Sequence, residues 1–329
     1  MERYEKPDTY AVWSKNEKNR YVSTSGGAFT EFAKYIIANG GYVAGAQYNS
    51  ACLVEHAIVD SMEGIERLRQ SKYMQSDLKD IFREVKDKLK SGKLVGFCGA
   101  PCQVAGLYAY LGKEYENLFT MDFICRGMNS PKAFKAWLNE EEERQGSKAV
   151  RVWFKYKEGG WKSSPKRTRV DFVDGSYKVY EGEKNLFMYG YLSSNLYIKP
   201  SCGNCRFKGL PRKADVTFAD FWGIDSALDD DKGTSMLLVN SEKGRKIFVE
   251  VGEGMQVYQM DFERILAGNP MFSISVAVPE KATAFLQDLD NMCFTEALKK
   301  YDGYPCLVPL WRKVARKAKR AIKQSIGKK

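Results

Sequence analysis

Histidine is almost missing from this chain: His56 is the single one in 329 residues, which removes Cys2His2 zinc sites and most triad chemistry. Long apolar runs are missing too. Stretches such as Leu94 to Phe97 and Met236 to Val239 fall far short of the roughly 18 residues that a membrane-crossing helix needs. Met1 to Asp8 is charged and contains Pro7, with no apolar core of the kind an export signal requires. A cytoplasmic location is therefore expected. There is no internal repeat and no low-complexity segment.

What is present suits a sizeable globular core: 44% of the residues are hydrophobic, enough for one large or two closely packed domains. The formal charge of +11 is concentrated at one end. Arg312, Lys313, Arg316, Lys317, Lys319, Arg320, Lys323, Lys328 and Lys329 have no acidic neighbour, so the rest is close to neutral. This speaks for a basic tail and against a nucleic-acid groove. The tail sets Leu307, Leu310, Trp311, Val314, Ala318, Ala321 and Ile322 at helical spacing and reads as an amphipathic helix. Such a helix can dock an acidic ferredoxin, make a peripheral contact with an anionic membrane, or simply be solvated. The eight cysteines, without an export signal, read as ligands, redox thiols or buried residues and not as a disulfide framework.

Along the chain, Tyr10 to Lys15 suits a strand. Thr24-Ser25-Gly26-Gly27 then leads into an amphipathic helix with Phe29, Phe32, Ala33, Ile36 and Ile37 on one face, capped by Ser25. Gly40-Gly41 ends it, Tyr42 to Ala46 and Leu53 to Val59 follow as strands, and a charged helix is expected from about Ser76 to Lys90. Leu94 to Phe97 is a strand that stops at Gly99, and Pro101 suits the first position of a helix through Leu111. The pattern recurs at Leu118 to Ile124, with Ser130-Pro131 starting the helix Lys132 to Arg144. Two strands thus end in cysteine-bearing loops, which in an open parallel sheet emerge on the edge where ligands bind. Cys102 and Cys125 can meet there.

Residues 150–199 change to alternating patterns, Val152, Phe154 and Tyr156, then Val170, Phe172 and Tyr177 around the turn Asp174-Gly175, an antiparallel insertion. Asp215 to Phe221 and Met236 to Val239 read as strands and Ser241 to Val251 as a helix. The fold class expected is α/β, a mixed, mostly parallel sheet core with helices on both faces, an antiparallel β insertion and a basic C-terminal helix. The division expected is 10–92, 93–275 and a helical region over 276–329.

Cys202-Gly-Asn-Cys205 can grip one metal or one cluster. By itself it fits a zinc knuckle or a redox dithiol as well. Cys102, in the first turn of its helix, gains thiolate character from the helix dipole, and Cys125 follows its strand directly. Cys52, Cys98, Cys293 and Cys306 read as buried small hydrophobes. The Thr24 to Gly27 turn can present N–H groups to a phosphate or be an ordinary capped turn. Ser71 to Ser76 offers a cation, an aromatic face and amide donors suited to a flavin, a nucleotide or solvent. Lys232, in a glycine turn, can pair with a phosphate or a reduced flavin, or be solvated. His56, in a strand, reads as structural or superficial.

Seven motifs, taken in order, carry a resemblance: Ser23-Thr-Ser-Gly-Gly27, Ser71-Lys-Tyr-Met-Gln-Ser76, Gly99-Ala-Pro-Cys-Gln103, Phe123-Ile-Cys-Arg-Gly127, Cys202-Gly-Asn-Cys205, Ala214 to Gly223 and Asp231-Lys-Gly-Thr-Ser235. Together, from Tyr10 to Ile274, the chain resembles the beta subunits of coenzyme F420 hydrogenases and dehydrogenases. The resemblance implies an FAD-binding α/β core beside a 4Fe-4S cluster, passing electrons between a one-electron carrier and a small-molecule, hydride-type substrate, with coenzyme F420 one candidate. It implies Cys102, Cys125, Cys202 and Cys205 as cluster ligands, and Ser25, Gly26, Gly27, Lys72, Tyr73, Gln75 and Lys232 as flavin contacts. Many similar bacterial proteins carry an N-terminal ferredoxin-like module, and this chain begins after that point. Its expected electron donor is then a separate ferredoxin-like carrier or a partner subunit. The rival readings are a non-enzymatic partner-binding module with structural zinc at Cys202 and Cys205, and a dithiol oxidoreductase.

Overall fold

The computed structural model describes residues 2–302. Its strands are β1 (Asp8–Ser14), β2 (Tyr42–Tyr48), β3 (Val54–Val59), β4 (Val95–Cys98), β5 (Leu118–Phe123), β6 (Ala149–Phe154), β7 (Arg167–Phe172), β8 (Tyr177–Glu181), β9 (Val216–Asp220), β10 (Ser235–Val239) and β11 (Met255–Gln259). Its helices are α1 (Glu17–Val22), α2 (Ala28–Ala38), α3 (Met62–Leu68), α4 (Ile81–Lys90), α5 (Pro101–Leu111), α6 (Pro131–Gln145), α7 (Leu186–Tyr189), α8 (Glu242–Gly252), α9 (Phe262–Gly268), α10 (Lys281–Asp288) and α11 (Phe294–Asp302).

Eight strands form one mixed sheet in the order β11-β1-β10-β9-β5-β4-β2-β3. The four central strands, β2, β4, β5 and β9, pair in parallel, and both margins are antiparallel. Alternation along the strands feeds two layers. Val43, Phe119 and Met121 pack against Phe32 and Ile36 of α2, Ile65 of α3 and Phe248 of α8. Ala44, Val95, Phe97 and Leu118 pack against Ile81 and Val85 of α4 and Leu107 and Leu111 of α5. Helices cover both faces, which is why the central strands read as unbroken apolar runs. Because β1 lies between β10 and β11, segments 10–92 and 93–275 share this sheet.

The insertion forms a second sheet, β6-β7-β8, all antiparallel, with Asp174-Gly175 in the turn between β7 and β8. Its core joins Val152, Phe154 and Phe172 to Trp137 of α6, Phe187 of α7 and Phe294 of α11.

Two expected helix starts move. Ser25 does not cap α2: Gly27, at φ 90°, is the cap residue, and no side chain bonds the helix end. Helix α4 begins at Ile81 and not near Ser76, because Asp77 is held by β3, its N–H donating to Val54 O at 2.9 Å and its carbonyl accepting from His56 N at 2.8 Å. Pro101 and Ser130 act as expected, the Ser130 hydroxyl accepting from Lys132 N at 3.2 Å. The basic tail, its amphipathic pattern and Cys306 lie outside the described residues. Among the described residues no helix is long and apolar enough to cross a membrane.

Candidate functional site

The carboxyl ends of β4, β5 and β9 open toward one edge of the sheet, the side where a parallel sheet usually binds ligands. A cavity of about 680 Å³ lies there, within the range of small-molecule and cofactor sites. Phe29, Tyr73, Phe123, Tyr191, Phe218 and Trp222 are among its walls.

Of the residues expected to contact a flavin, Ser25, Gly27, Lys72 and Tyr73 line this cavity, whereas Gly26, Gln75 and Lys232 do not. Gly26 is structural: a Cβ there would sit 2.4 Å from Val12 O and 2.7 Å from Ser235 N, so only glycine lets the turn pass over β1 and β10. Ser25 turns its hydroxyl to Thr234 O at 2.6 Å. Gln75 is exposed, its backbone N–H donating to Asn129 O at 2.9 Å. Lys232 points to solvent and pairs with Glu17 at 3.1 Å.

The buried lysines are others. Lys72 donates to the carbonyls of Arg69 at 2.7 Å, Leu68 at 3.2 Å and Gln70 at 3.3 Å, and burial lowers its pKa to about 7. Lys155, at φ 57°, pairs with Asp220 and lies 5.1 Å over the Trp222 ring, all three at the cavity wall. Lys157 donates to the carbonyls of Arg20 at 2.6 Å and Lys232 at 3.0 Å and to that of Ser25, so it ties the glycine turn together from beneath.

Four wall residues carry buried polar atoms without a hydrogen-bond partner: Thr30 Oγ1, His56 Nδ1, Arg69 Nε and Asn269 Nδ2. Burial without a partner costs free energy, so these atoms, donors at Arg69 and Asn269 and an acceptor at His56 Nδ1, fit a ligand with a polar ring edge that both accepts and donates, such as the pyrimidine of a flavin. His56 is neither superficial nor an ordinary core residue. Its Nε2 lies 3.3 Å from Cys98 O, its ring stacks on Phe97, and burial pushes its pKa down to about 4, leaving it neutral. Val54 and His56, two apart on β3, both reach the cavity. That alternation was present in the sequence and could have found the histidine.

A second, smaller cavity of about 30 Å³ adjoins the first. Its walls include Cys102 from the first turn of α5, Cys125 just after β5, and Cys202 and Cys205 from the tight turn over Pro200–Asn204. Cys125, Arg126, Gly127, Met128 and Met271 line both cavities. Met128 N donates to Cys202 Sγ at 3.4 Å, Cys205 N to Ser275 Oγ at 3.0 Å, and Lys208 Nζ to the carbonyls of Cys125 and of Met271, the latter at 2.6 Å. No three of His, Cys, Asp or Glu stand ready to share a single metal ion among the described residues. The four thiols surround a space instead.

Their electrostatics favour a cationic occupant. Burial raises the Cys125 thiol to about 12, with Lys208 opposing and Cys202 and Cys102 adding. Cys102 is also raised, first by burial and then by Cys202 and Cys205. The expected lowering by the helix end is present, through the N–H groups of Cys102 and Gln103, but is outweighed. Raised in this way, the Cys102 and Cys125 thiols keep their protons near neutral pH and give them up only in exchange for a group that brings positive charge.

Behind this cavity Arg212, one of its walls, pairs with the fully buried Asp122 at 2.7 Å, and Thr217 donates to the same carboxylate at 2.5 Å. Of the remaining cysteines, Cys52 is buried as expected, Cys98 lines the large cavity, and Cys293 is exposed, contrary to expectation.

The family pattern described as the C terminus of the coenzyme F420 hydrogenase/dehydrogenase beta subunit matches residues 92–263. No curated protein sequence matches the chain. A chain from the F420-reducing NiFe hydrogenase complex of Methanosarcina barkeri superposes with a TM-score of 0.55 at 14% identity, over 91% of this chain and 94% of that one. At that identity the likeness is one of fold.

Proposed function

Because the chain belongs to the coenzyme F420 hydrogenase/dehydrogenase beta-subunit family, a family of oxidoreductases, we propose that it moves electrons between a hydride-type small molecule and a one-electron carrier. FAD would occupy the large cavity, and a 4Fe-4S cluster, larger than the roughly 30 Å³ now left between the four thiols, would sit there once their side chains turn apart to hold it. FAD exchanges two electrons as hydride and a cluster exchanges one, so together they supply the conversion. The observation that carries this reading is the shared wall: the segment Cys125 to Met128 borders both cavities, so the two groups would sit within a short electron-transfer distance.

The chain's own residues would do the placing. Tyr73, Tyr191 and Trp222 offer aromatic faces to a planar ring. The unpartnered atoms of His56, Arg69 and Asn269 would meet its polar edge. Lys72, desolvated and without a carboxylate among its hydrogen-bond partners, would gain from negative charge arriving on that ring. Cys102, Cys125, Cys202 and Cys205 would be the cluster ligands. Coenzyme F420 is one candidate for the hydride-type substrate, on the strength of the family's name.

Anaerobic purification followed by absorption spectroscopy, iron and sulfide assays and flavin release tests this. The expected protein is brown, with about four irons per chain and one flavin. Stoichiometric zinc without iron, or a protein still colourless after reconstitution with iron and sulfide, overturns it.

A further inference from the structure

The loop that carries Cys202 and Cys205 is one-sided in charge. From Lys184 to Ala214 there is no acidic residue, while Lys184, Lys199, Arg206, Lys208, Arg212 and Lys213 are basic. Lys208 and Arg212 are turned inward, to carbonyls and to Asp122. Lys199 and Arg206, which flank the Cys202–Cys205 turn, are exposed and hold no carboxylate among the described residues, whereas Lys213 precedes the amino end of β9, where its carbonyl accepts from Arg3. Lys162, Arg245 and Lys300, elsewhere on the surface, pair with Asp229, Asp8 and Asp288 at 2.8, 2.8 and 2.6 Å.

Two further features lie on this face. Cys102, a wall of the sulfur-lined cavity, is exposed, so that cavity reaches close to solvent here. Leu210 and Ile274 are exposed apolar residues beside the same loop, Ile274 preceding the serine that accepts from Cys205 N. Uncompensated cations around a small apolar centre, over a redox-capable cavity, match the surface of an electron-transfer encounter. Such contacts are small, under about 1,200 Å², and depend on long-range steering between unlike charges.

We infer that the face formed by Lys199 and Arg206 around Leu210 and Ile274 docks a small, acidic, one-electron carrier protein. This rests on the proposed function, since the electron must have a group to enter. One electron would leave the carrier and enter the group held by the four cysteines, with no bond made or broken. The two cations line neither cavity, so their role is separable from cofactor binding.

The test uses the full-length, anaerobically purified protein and a two-cluster bacterial ferredoxin as probe, with binding followed against ionic strength. The expected affinity falls steeply with salt, and the double variant K199E/R206E loses at least tenfold at low salt. Iron content, flavin content and reduction by dithionite stay at the parent level. A control with the same change in charge, K18E/K90E, is expected to lose far less. Lys18 lies in α1 and Lys90 ends α4, both away from the Cys202–Cys205 turn. Unchanged affinity in the double variant, salt-independent binding, or an equal loss in the control overturns the inference. A wild-type protein without iron or flavin would instead sink the proposed function, and the binding data would still judge the surface.

Discussion

The two adjoining cavities are built on opposite principles. The small one depends on one kind of group: four thiols from three distant segments face about 30 Å³, and no other side chain there can become a thiolate. The large one, about 680 Å³, draws its walls from many segments and from aromatic, aliphatic, amide and cationic groups. A site of the first kind fails when a single atom is changed, because each ligand is a large share of the total binding. A site of the second kind degrades by degrees, because each contact is a small share.

The strongest way to break that contrast is a matched pair of substitutions. Cys125→Ser replaces a soft thiolate with a poor ligand for iron. Its iron content is expected to fall more than the roughly 10- to 100-fold in metal affinity that loss of an outer-shell partner costs. Lys72→Met removes one buried cation from the large cavity and is expected to weaken flavin retention by less than about tenfold, close to 1 kcal/mol, with iron unchanged. Iron assays and flavin release on both variants check this. A Cys125→Ser protein that keeps its iron would end the claim that the thiols act as a set.

The next largest effect lies in the scaffold behind the small cavity. Asp122 is fully buried, and burial raises its pKa even with Arg212 at 2.7 Å. Arg212→Met would strand the carboxyl and is expected to cost about 3–5 kcal/mol near neutral pH. The folded-state pKa of Asp122 would then stand well above its unfolded value. The penalty is full above the folded pKa and eases as pH falls through it, when the folded protein takes up the proton. Denaturant melts at two pH values check the sign. Asp122→Leu combined with Arg212→Met is expected to recover much of the loss, since no lone charge remains.

How far the site was legible in the sequence follows the same division. Cys102, Cys125, Cys202 and Cys205 stand out as residue types at turn positions, and the strand-turn-helix grammar at Pro101 and Ser130 places the first two on one sheet edge. The walls of the large cavity are set by which way each side chain turns, a matter decided by tertiary packing. Within one motif Tyr73 faces the cavity and Gln75 faces solvent. Lys232 was expected beside Lys72 as a flavin contact, yet it points to solvent, and Lys155, from a segment read only as a hairpin, lines the cavity beside Asp220 and Trp222. Ser25 looked like a cap, but its hydroxyl is held by Thr234 O on the next strand's approach. A hydrogen bond between residues so far apart in sequence leaves no local signal.

His56 supplies an effect smaller than that of Arg212 and the finest probe of the large cavity. Its pKa is lowered to about 4 by burial, against an ordinary value of 6.5. Between those values the unfolded chain binds a proton that the folded protein refuses, so stability falls as pH drops through that window, by at most about 1.4 kcal/mol per unit. At pH 5 the loss attributable to this residue is expected to be about 2 kcal/mol. Lys72, Lys155 and Lys157, lowered to about 7, titrate above the window. Subtracting the urea melts of His56→Gln from those of the parent, at pH 7 and pH 5, isolates the histidine. A flavin whose imide N–H bonds Nδ1 would deepen the dependence in the loaded protein, because protonation would then cost the ligand contact as well. Equal pH slopes for parent and variant would mean that the imidazole is open to solvent, and the polar edge of the large cavity would have to be drawn elsewhere.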